Sequence, residues 1–302
     1  MTQHCGLVAV IGAPNAGKST LVNALVGQKV AIVSAKAQTT RARLMGIALA
    51  KSADGVETQI ILADTPGIFA PKRRLDRAMV AAAWEGAQEA DAILLVVDAR
   101  KKRRDDIEPI LESLKHRPER KILVLNKVDA CAKEPLLIAA QELTGVVPFD
   151  EVFFVSALSG DGVPELKERL AAMMPEGPWH YPEDQVSDAS ERLLACEITR
   201  EQLYRQLHDE LPYDSAVRPE SYTQRKDGSV EIHQQIVVAR DSQKGIVLGS
   251  KGAQIKKIGE AARKELTDLL GQKVHLFLHV KVEENWAEAR DLYEAIGLDW
   301  VK

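Results

Sequence analysis

Gly12-Ala13-Pro14-Asn15-Ala16-Gly17-Lys18-Ser19 fits the pattern G-x-x-x-x-G-K-[ST], and its flanks supply the context that pattern requires. The run before it, Cys5-Gly6-Leu7-Val8-Ala9-Val10-Ile11, is short, apolar and rich in β-branched residues, which predicts a buried strand. The run after it, Ser19–Val26, has helical spacing and stops at Gly27. A strand, a glycine-rich loop and a helix N-terminus together make an anion cradle. Glycines let backbone N–H groups turn inward around phosphate oxygens, and the helix adds the positive end of its dipole. Lys18 is placed to reach β- and γ-phosphates, and the Ser19 hydroxyl to ligate Mg²⁺. Gly12, Ala13, Pro14, Asn15, Ala16, Gly17, Lys18, Ser19 and Thr20 are therefore assigned to nucleotide binding. A plain glycine-rich turn is the alternative, and the motifs downstream weigh against it.

Strand patterns alternate with helical ones as far as about Met174. Leu44–Ala50 and Val56–Ala63 read as strands joined by a turn at Ala53-Asp54-Gly55. Asp91–Val97, Lys121–Asn126 and Val152–Ser156 read as three more, with helical patterns at Arg74–Gln88, Asp105–Lys115, Glu134–Leu143 and Val163–Met173. The alternation predicts an α/β, doubly wound, mostly parallel six-stranded sheet, which binds ligands at the carboxyl ends of its strands.

The remaining motifs fall at such ends. Asp64-Thr65-Pro66-Gly67 closes one strand. Its carboxylate can hold Mg²⁺ through water, and the Gly67 N–H can meet a γ-phosphate, although D-x-P-G is also ordinary turn chemistry. Asn126-Lys127-Val128-Asp129 closes another. The Asp129 carboxylate can accept both N1–H and the 2-amino group of guanine, and adenine offers neither donor. A site built for those donors is left unpaired by the wrong base. Ser156-Ala157-Leu158 follows the last strand and can offer backbone N–H to the guanine O6. Between the phosphate loop and Asp64 lies Lys36-Ala37-Gln38-Thr39-Thr40-Arg41, where a threonine can complete the Mg²⁺ shell.

Composition sets the outer bounds. A chain of 302 residues with formal net charge −4 is long enough for two domains. Cys5, Cys131 and Cys196 are far apart and form no C-x-x-C pair, which argues for a reducing compartment and against structural zinc. The seven histidines form no H-E-x-x-H, and His275 and His279 fall on one face of an expected strand. No apolar run reaches the roughly 18 residues of a spanning helix. The N-terminus lacks a basic n-region, so a cytoplasmic protein is expected.

On GAPNAGKS, TTR, DTPG, NKVD and SAL, in that order over roughly residues 5–174, the first half resembles the translation-factor-like small GTPases. The resemblance implies binding of GTP and GDP with Mg²⁺ held by Ser19, Thr40 and Asp64. It selects Thr40 over Thr39, because family members place the threonine directly before arginine. Lys18, Thr40 and Gly67 then carry catalysis, with Asp64, Thr65, Pro66, Asn126, Lys127, Asp129, Ser156, Ala157 and Leu158 completing the nucleotide site. One residue departs from the Ras-like pattern. Ile68 stands where a Ras-like chain has the glutamine that orients the attacking water. Hydrolysis then depends on positioning and charge, and slow turnover is expected. In related GTPases an asparagine at the place of Asn15 helps to hold K⁺. The other reading of Asn15 is a residue that tolerates an αL turn.

Pro175-Glu176-Gly177-Pro178-Trp179-His180-Tyr181-Pro182 breaks the alternation and reads as a stiff linker. The expected domains are 1–174, a linker at 175–187, and 188–302. Asp188-Ala189-Ser190-Glu191 has capping-box spacing with Asp188 in the cap position, before a helix carrying Leu194, Ile198, Leu203, Leu207 and Leu211. Ala216–Arg225 and Ser229–Arg240 flank the turn Lys226-Asp227-Gly228 and read as a hairpin. Gly249-Ser250-Lys251-Gly252 follows between two apolar helical stretches, and then a strand at Lys273–Val282 and a helix near Trp286–Ile296.

From residue 181 onward there are 17 Lys/Arg against 22 Asp/Glu, yet Arg240–Lys264 holds seven basic residues against two acidic. One positive region on an acidic background suits a directed groove rather than general polyanion binding. Helix, strand, strand, helix, G-x-x-G, helix, strand is the order of the α+β type II KH fold, whose loop clamps single-stranded nucleic acid. Lys244, Gly249, Ser250, Lys251, Gly252, Lys256 and Lys257 are the candidate RNA-binding residues.

The whole chain resembles the Era-type ribosome-assembly GTPases. That resemblance implies a monomer that binds small-subunit ribosomal RNA near its 3′ end and acts on the assembling small subunit. It also implies peripheral contact with the inner face of the plasma membrane. The alternative is a nucleotide-regulated RNA chaperone or RNA-modification partner with little hydrolysis of its own. A second catalytic constellation, which GTP-driven chemistry on another substrate would need, is not apparent in the sequence.

Overall fold

The computed structural model describes residues 3–34, 36, 38–51 and 55–301. The chain divides into two compact units, Met1–Ala31 with Thr40–Asp188, and Ile32–Thr39 with Ala189–Lys302.

The first unit is built on six strands, β1 (His4–Ile11), β2 (Leu44–Lys51), β3 (Glu57–Asp64), β4 (Ala92–Asp98), β5 (Arg120–Asn126) and β6 (Glu151–Val155). They lie in the order β2-β3-β1-β4-β5-β6, with only β2 antiparallel to its neighbour. The turn expected around Ala53 and Asp54 lies outside the described residues. Four helices lie between the strands, α1 (Lys18–Val26), α2 (Arg74–Gln88), α3 (Glu108–Lys115) and α4 (Lys133–Val146), and α5 (Val163–Met173) follows β6.

Strand side chains alternate between two cores. Val8, Val10, Leu94, Val96, Ile122 and Val124 pack against Leu21, Leu25, Leu166 and Leu170 of α1 and α5. Ala9, Ile11, Ile93, Leu95, Leu123 and Leu125 pack against Ala83, Leu111 and Leu143 of α2, α3 and α4. A period of two along strands buried on both faces explains why they read as unbroken apolar runs.

α2 and α5 have the bounds their periodicity predicts, whereas α3 starts three residues later than expected. The Ile107 N–H bonds back to the Arg104 carbonyl in a separate turn, and Pro109 sits in the first helical turn, where its missing N–H costs nothing.

The proline-rich stretch after α5 is fastened along this unit. The Gln59 side chain accepts from the N–H groups of His180 and Tyr181 and donates to the Tyr181 carbonyl, while Trp179 and Tyr181 pack on Cys5, Met45, Ile61 and Ala63.

The second unit has α6 (Glu191–Gln206), β7 (Ser215–Gln224), β8 (Val230–Val238), α7 (Asp241–Leu248), α8 (Ala253–Leu270), β9 (Val274–Val282) and α9 (Arg290–Ile296). Its sheet runs β7-β8-β9, antiparallel then parallel. Leu203, Leu207, Val217, Ile236, Val247 and Ile258 form one core cluster, and Ile32, Ala195, Ile198, Ile232, Ala262 and Leu266 another.

The cap of α6 differs from the expected one. Ser190 caps the helix by accepting the Leu193 N–H, and Asp188 instead accepts the Met45 N–H at 3.0 Å. The helix also ends before Leu211, which reaches the core from the loop that follows.

Candidate nucleotide site and nucleic-acid loop

In the first unit the loop between β1 and α1 makes close backbone approaches that exclude side chains at its glycines. Gly12 has φ 149°, and a Cβ there would sit 2.3 Å from the Val96 carbonyl oxygen. Gly17 has φ 97°, and a Cβ there would sit 2.2 Å from Asn126 Nδ2. The buried Lys18 ammonium donates to the carbonyls of Gly12 (3.2 Å) and Ala13 (3.1 Å). Burial pulls that ammonium down to about 8, against the upward pull of the Asp64 carboxylate.

The three residues expected to surround Mg²⁺ come together. Ser19 Oγ donates to Asp64 Oδ2 at 2.7 Å and lies 2.8 Å from Thr40 Oγ1, which itself stands 3.3 Å from Asp64 Oδ2. Two hydroxyls and a carboxylate are hard oxygen donors, the set a Mg²⁺ ion takes. Among the described residues no group of three or more His, Cys, Asp or Glu could hold a metal. Thr39 bonds elsewhere, to Ser34 and to the Lys36 carbonyl.

Asp64-Thr65-Pro66-Gly67 runs from β3 across the phosphate loop. Thr65 Oγ1 donates to the Val10 carbonyl at 2.8 Å. A Cβ on Gly67 would lie 2.9 Å from the Pro14 backbone, so the DTPG segment and the phosphate loop touch. The Ile68 N–H donates to the Gly12 carbonyl, and the Ile68 side chain is buried beside Ile11 and Ala13. It faces the core and offers no hydrogen bond to a water.

Asn126 ties the base-recognition motifs to the loop. Its Nδ2 donates to the Ala16 carbonyl at 2.9 Å, and its Oδ1 accepts the N–H groups of Lys127 and Ala157. Lys127, at φ 70°, donates to the Asn15 carbonyl and to Asp98 Oδ2 at 2.7 Å. Asn15 is itself left-handed, at φ 63°, as its turn reading requires. Asp129 is exposed on the short 3-10 turn Val128–Ala130, free of the core. Ser156 and Ala157 are buried, whereas Leu158 is 85% exposed.

Sequence reasoning missed Asp98 and Arg100. Asp98 receives Arg100 through Nε (3.0 Å) and NH2 (2.8 Å) as well as Lys127. Burial alone would push this carboxyl up, but the bonds from Arg100 and Lys127 outweigh burial and hold it at about 2. An acidic residue at the carboxyl end of β4 was the available signal.

In the second unit α7 ends at Gly249, whose φ of 70° and ψ of 177° turn the chain sharply. A Cβ there would meet Gln254 Cβ at 2.6 Å. Lys251, at φ 51°, and Gly252, at φ 77°, complete the loop before α8. Ser250, Lys251, Lys256 and Lys257 are exposed, and Lys244 is partly so. The exposed Ile246 stands on the last turns of α7 beside them. Cationic side chains around a tight backbone loop and an apolar flank suit a phosphate backbone with its bases.

A family described as 50S ribosome-binding GTPase matches residues 7–127, and the KH domain family matches residues 210–287. The chain is 74% identical to GTPase Era of Erythrobacter litoralis over 99% of its own length and 98% of the relative's. It is 56% identical to GTPase Era of Brucella melitensis biotype 1, over 98% and 93%. Among solved structures, Era in complex with MgGDPNP and nucleotides 1506–1542 of 16S ribosomal RNA superposes with TM-score 0.91 at 37% identity, covering 98% of this chain and 99% of that one. An Aquifex aeolicus Era variant bound to GDP·AlF₄⁻ gives TM-score 0.90 at 36% identity, covering 97% and 99%.

Proposed function

The chain belongs to the Era family of GTPases, and from that membership we propose that it is a GTP-hydrolysing switch that binds small-subunit ribosomal RNA near its 3′ end and assists assembly of the small subunit. The observation that carries the reading is the meeting of Ser19, Thr40 and Asp64 at 2.7–3.3 Å beside Lys18. Those three residues would hold Mg²⁺, which supplies charge neutralisation on the β- and γ-phosphates. Lys18 adds fixed positive charge on the same oxygens. The Gly67 N–H is offered to the γ-phosphate, and Asp129 reads guanine.

Hydrolysis has no side-chain base of the glutamine type, because Ile68 is buried. Turnover is therefore slow and rests on positioning. Asn15 is offered as a K⁺ ligand on its place in the loop, and equal rates in K⁺ and Na⁺ buffers would remove that role. The loop Gly249–Gly252, with Lys244, Lys251, Lys256 and Lys257, is the RNA clamp, and the nucleotide state times its engagement.

The family likeness also supports a monomer organised as a GTPase domain at 1–174, a linker at 175–187 and an RNA-binding domain at 188–302. It supports a cytoplasmic location with peripheral contact at the inner face of the plasma membrane. No helix among the described residues is long and apolar enough to cross a membrane.

The test has three arms. Phosphate release from GTP is expected from the intact protein and lost in Lys18→Ala; its absence from the intact protein leaves the RNA-chaperone reading. Asp129→Asn is expected to shift preference towards xanthosine nucleotides, and hydrolysis of ATP at a similar rate to GTP would overturn the guanine assignment. Crosslinking to cellular RNA identifies the partner, with loss of one defined crosslink expected in a Gly249→Asp/Gly252→Asp control.

A further inference from the structure

Arg100-Lys101-Lys102-Arg103-Arg104 is a run of five consecutive cations in a chain of formal net charge −4. It lies within the first unit, in the loop between Asp98 at the end of β4 and Glu108 at the start of α3. Three of the five are spent inside the protein. Arg100 is bonded to Asp98, Lys101 pairs with Asp106, and Arg104 pairs with Glu142 of α4. Lys102 and Arg103 are exposed, and neither makes an ion pair or a side-chain hydrogen bond with a described residue.

The loop that presents them is pinned on both sides. The Arg100 N–H donates to Asp98 Oδ1 and the Lys101 N–H to the Asp98 carbonyl, each at 3.1 Å. On the far side the Ile107 N–H donates to the Arg104 carbonyl at 2.9 Å, and the Ile107 side chain is buried. Lys101, Arg104 and Asp106 line a small cavity together with Ala13 and Ala16 of the phosphate loop. The plain alternative is a solvated charged loop. Against it stands the distribution of acids: Asp98, Asp106 and Glu142 are taken by the flanking cations, and the two central ones are held out to solvent on a fixed backbone. Cations ordered in advance lose little freedom when an anion arrives.

The chemistry of the run narrows the anion. Two adjacent cations, one of them a guanidinium, suit neighbouring phosphate groups. From Arg100 to Asp106 there is no aromatic and no apolar residue, so the loop has nothing to stack on a base and nothing to bury in a bilayer. We propose that Lys102 and Arg103 form a second RNA contact, on the GTPase unit, which takes backbone phosphates of the ribosomal RNA without reading its sequence. The proposal rests on the RNA partner given above. Phosphate contacts of this kind position a complex and leave specificity to contacts with bases.

The experiment uses the intact protein, the double variant Lys102→Ser/Arg103→Ser and the swap Lys102→Arg/Arg103→Lys, each checked by a thermal melt. Affinity is measured at stepped salt for purified small-subunit ribosomal RNA and for a short single-stranded oligonucleotide of its 3′ end. The serine variant is expected to bind the full RNA about tenfold more weakly at low salt, with a slope of log affinity against log salt smaller by about 1.4–1.8, since each lost phosphate contact removes about 0.7–0.9. Its affinity for the oligonucleotide and its GTP hydrolysis without RNA should stay within about twofold of native. The swap keeps both charges and is expected to restore affinity and slope. Unchanged affinity and slope in the serine variant overturn the inference alone, and an equal loss on the oligonucleotide overturns it as a second contact. Sedimentation with vesicles of phosphatidylcholine and phosphatidylserine should be the same for native protein and serine variant; a loss there, with RNA binding intact, overturns the inference in favour of a lipid surface. No binding of either RNA by the native protein overturns the functional reading, and the inference with it.

Discussion

The Asn126 side-chain amide donates to the carbonyl of Ala16 at 2.9 Å, so the last residue of β5 holds the phosphate loop from below. The same side chain accepts the amides of Lys127 and Ala157. One buried residue therefore sets the mutual position of three motifs that lie 110 and 31 residues apart in sequence.

Asn126→Ala should weaken both fold and binding. The substitution leaves a buried carbonyl and a buried amide without their partner, at a cost of about 3 kcal/mol. Thermal denaturation is expected to show that loss without nucleotide, and titration calorimetry to show GDP affinity falling at least about tenfold. A variant with normal stability but weak binding would mean that Asn126 acts on the ligand directly and not as a structural tie.

Asp98→Asn tests the support beneath Lys127. The native carboxyl is held at about 2 by Arg100 and Lys127, below the ordinary value of about 3.9. A depressed carboxyl contributes stability that is complete above the ordinary value and is lost as pH falls through the depressed one. The gap in stability between native protein and Asp98→Asn should therefore be constant from pH 7 to about 5 and shrink between about 4 and 2. Denaturant titrations at stepped pH measure it, and a gap that widens on acidification contradicts the assignment. Guanine nucleotide affinity should also fall at neutral pH, since Lys127 loses its anionic partner.

Strand positions and helix bounds were legible where the determinant is local. The apolar runs Ile93–Val97 and Ile122–Leu125, and the periodic stretches at α2 and α5, carry their own instructions. The motif residues stand out in the sequence because their chemistry is written in side-chain type and strand-end position. What escaped was set by partners far away in sequence. Asp188 looks like a helix cap until the Met45 amide, 143 residues distant, takes its oxygen. Lys36 carries no signal of its own in the sequence, and its bonds to the carbonyls of Tyr204 and Leu207 are made only by folding. Asp98 has no motif around it, and its tie to the base-recognition motif comes from Lys127 on the adjacent strand end.

Gly67→Ala addresses the contact between the DTPG segment and the phosphate loop. The new methyl would stand 2.9 Å from Pro14 Cα and N, so the segment must shift away. A shift of that kind should cost about 1–3 kcal/mol in stability. It should also lower GTP hydrolysis at least about tenfold by moving the N–H offered to the γ-phosphate. GDP affinity is expected to hold within about twofold, because GDP lacks that phosphate. Parallel loss of GDP binding would place the damage in the phosphate loop itself.

The two loop glycines of the second unit should respond differently to the same substitution. Gly249→Asp drives a Cβ to within 2.6 Å of Gln254 Cβ and 2.9 Å of its backbone nitrogen, on a backbone at φ 70°. Its main effect is expected on stability, read as a lowered melting temperature. Gly252 also has a left-handed backbone, at φ 77°, but no atom lies within 4 Å of an added Cβ. Gly252→Asp should therefore fold, with about 1–2 kcal/mol of backbone strain. Its carboxylate would stand among Lys251, Lys256 and Lys257, where a nucleic-acid phosphate would otherwise approach. Fluorescence anisotropy with a single-stranded RNA should show affinity falling at least about tenfold for Gly252→Asp and much less for Gly252→Asn, which tolerates the same backbone without the charge. Equal losses in the two would assign the effect to loop conformation, and no loss in either would move the RNA site away from this loop.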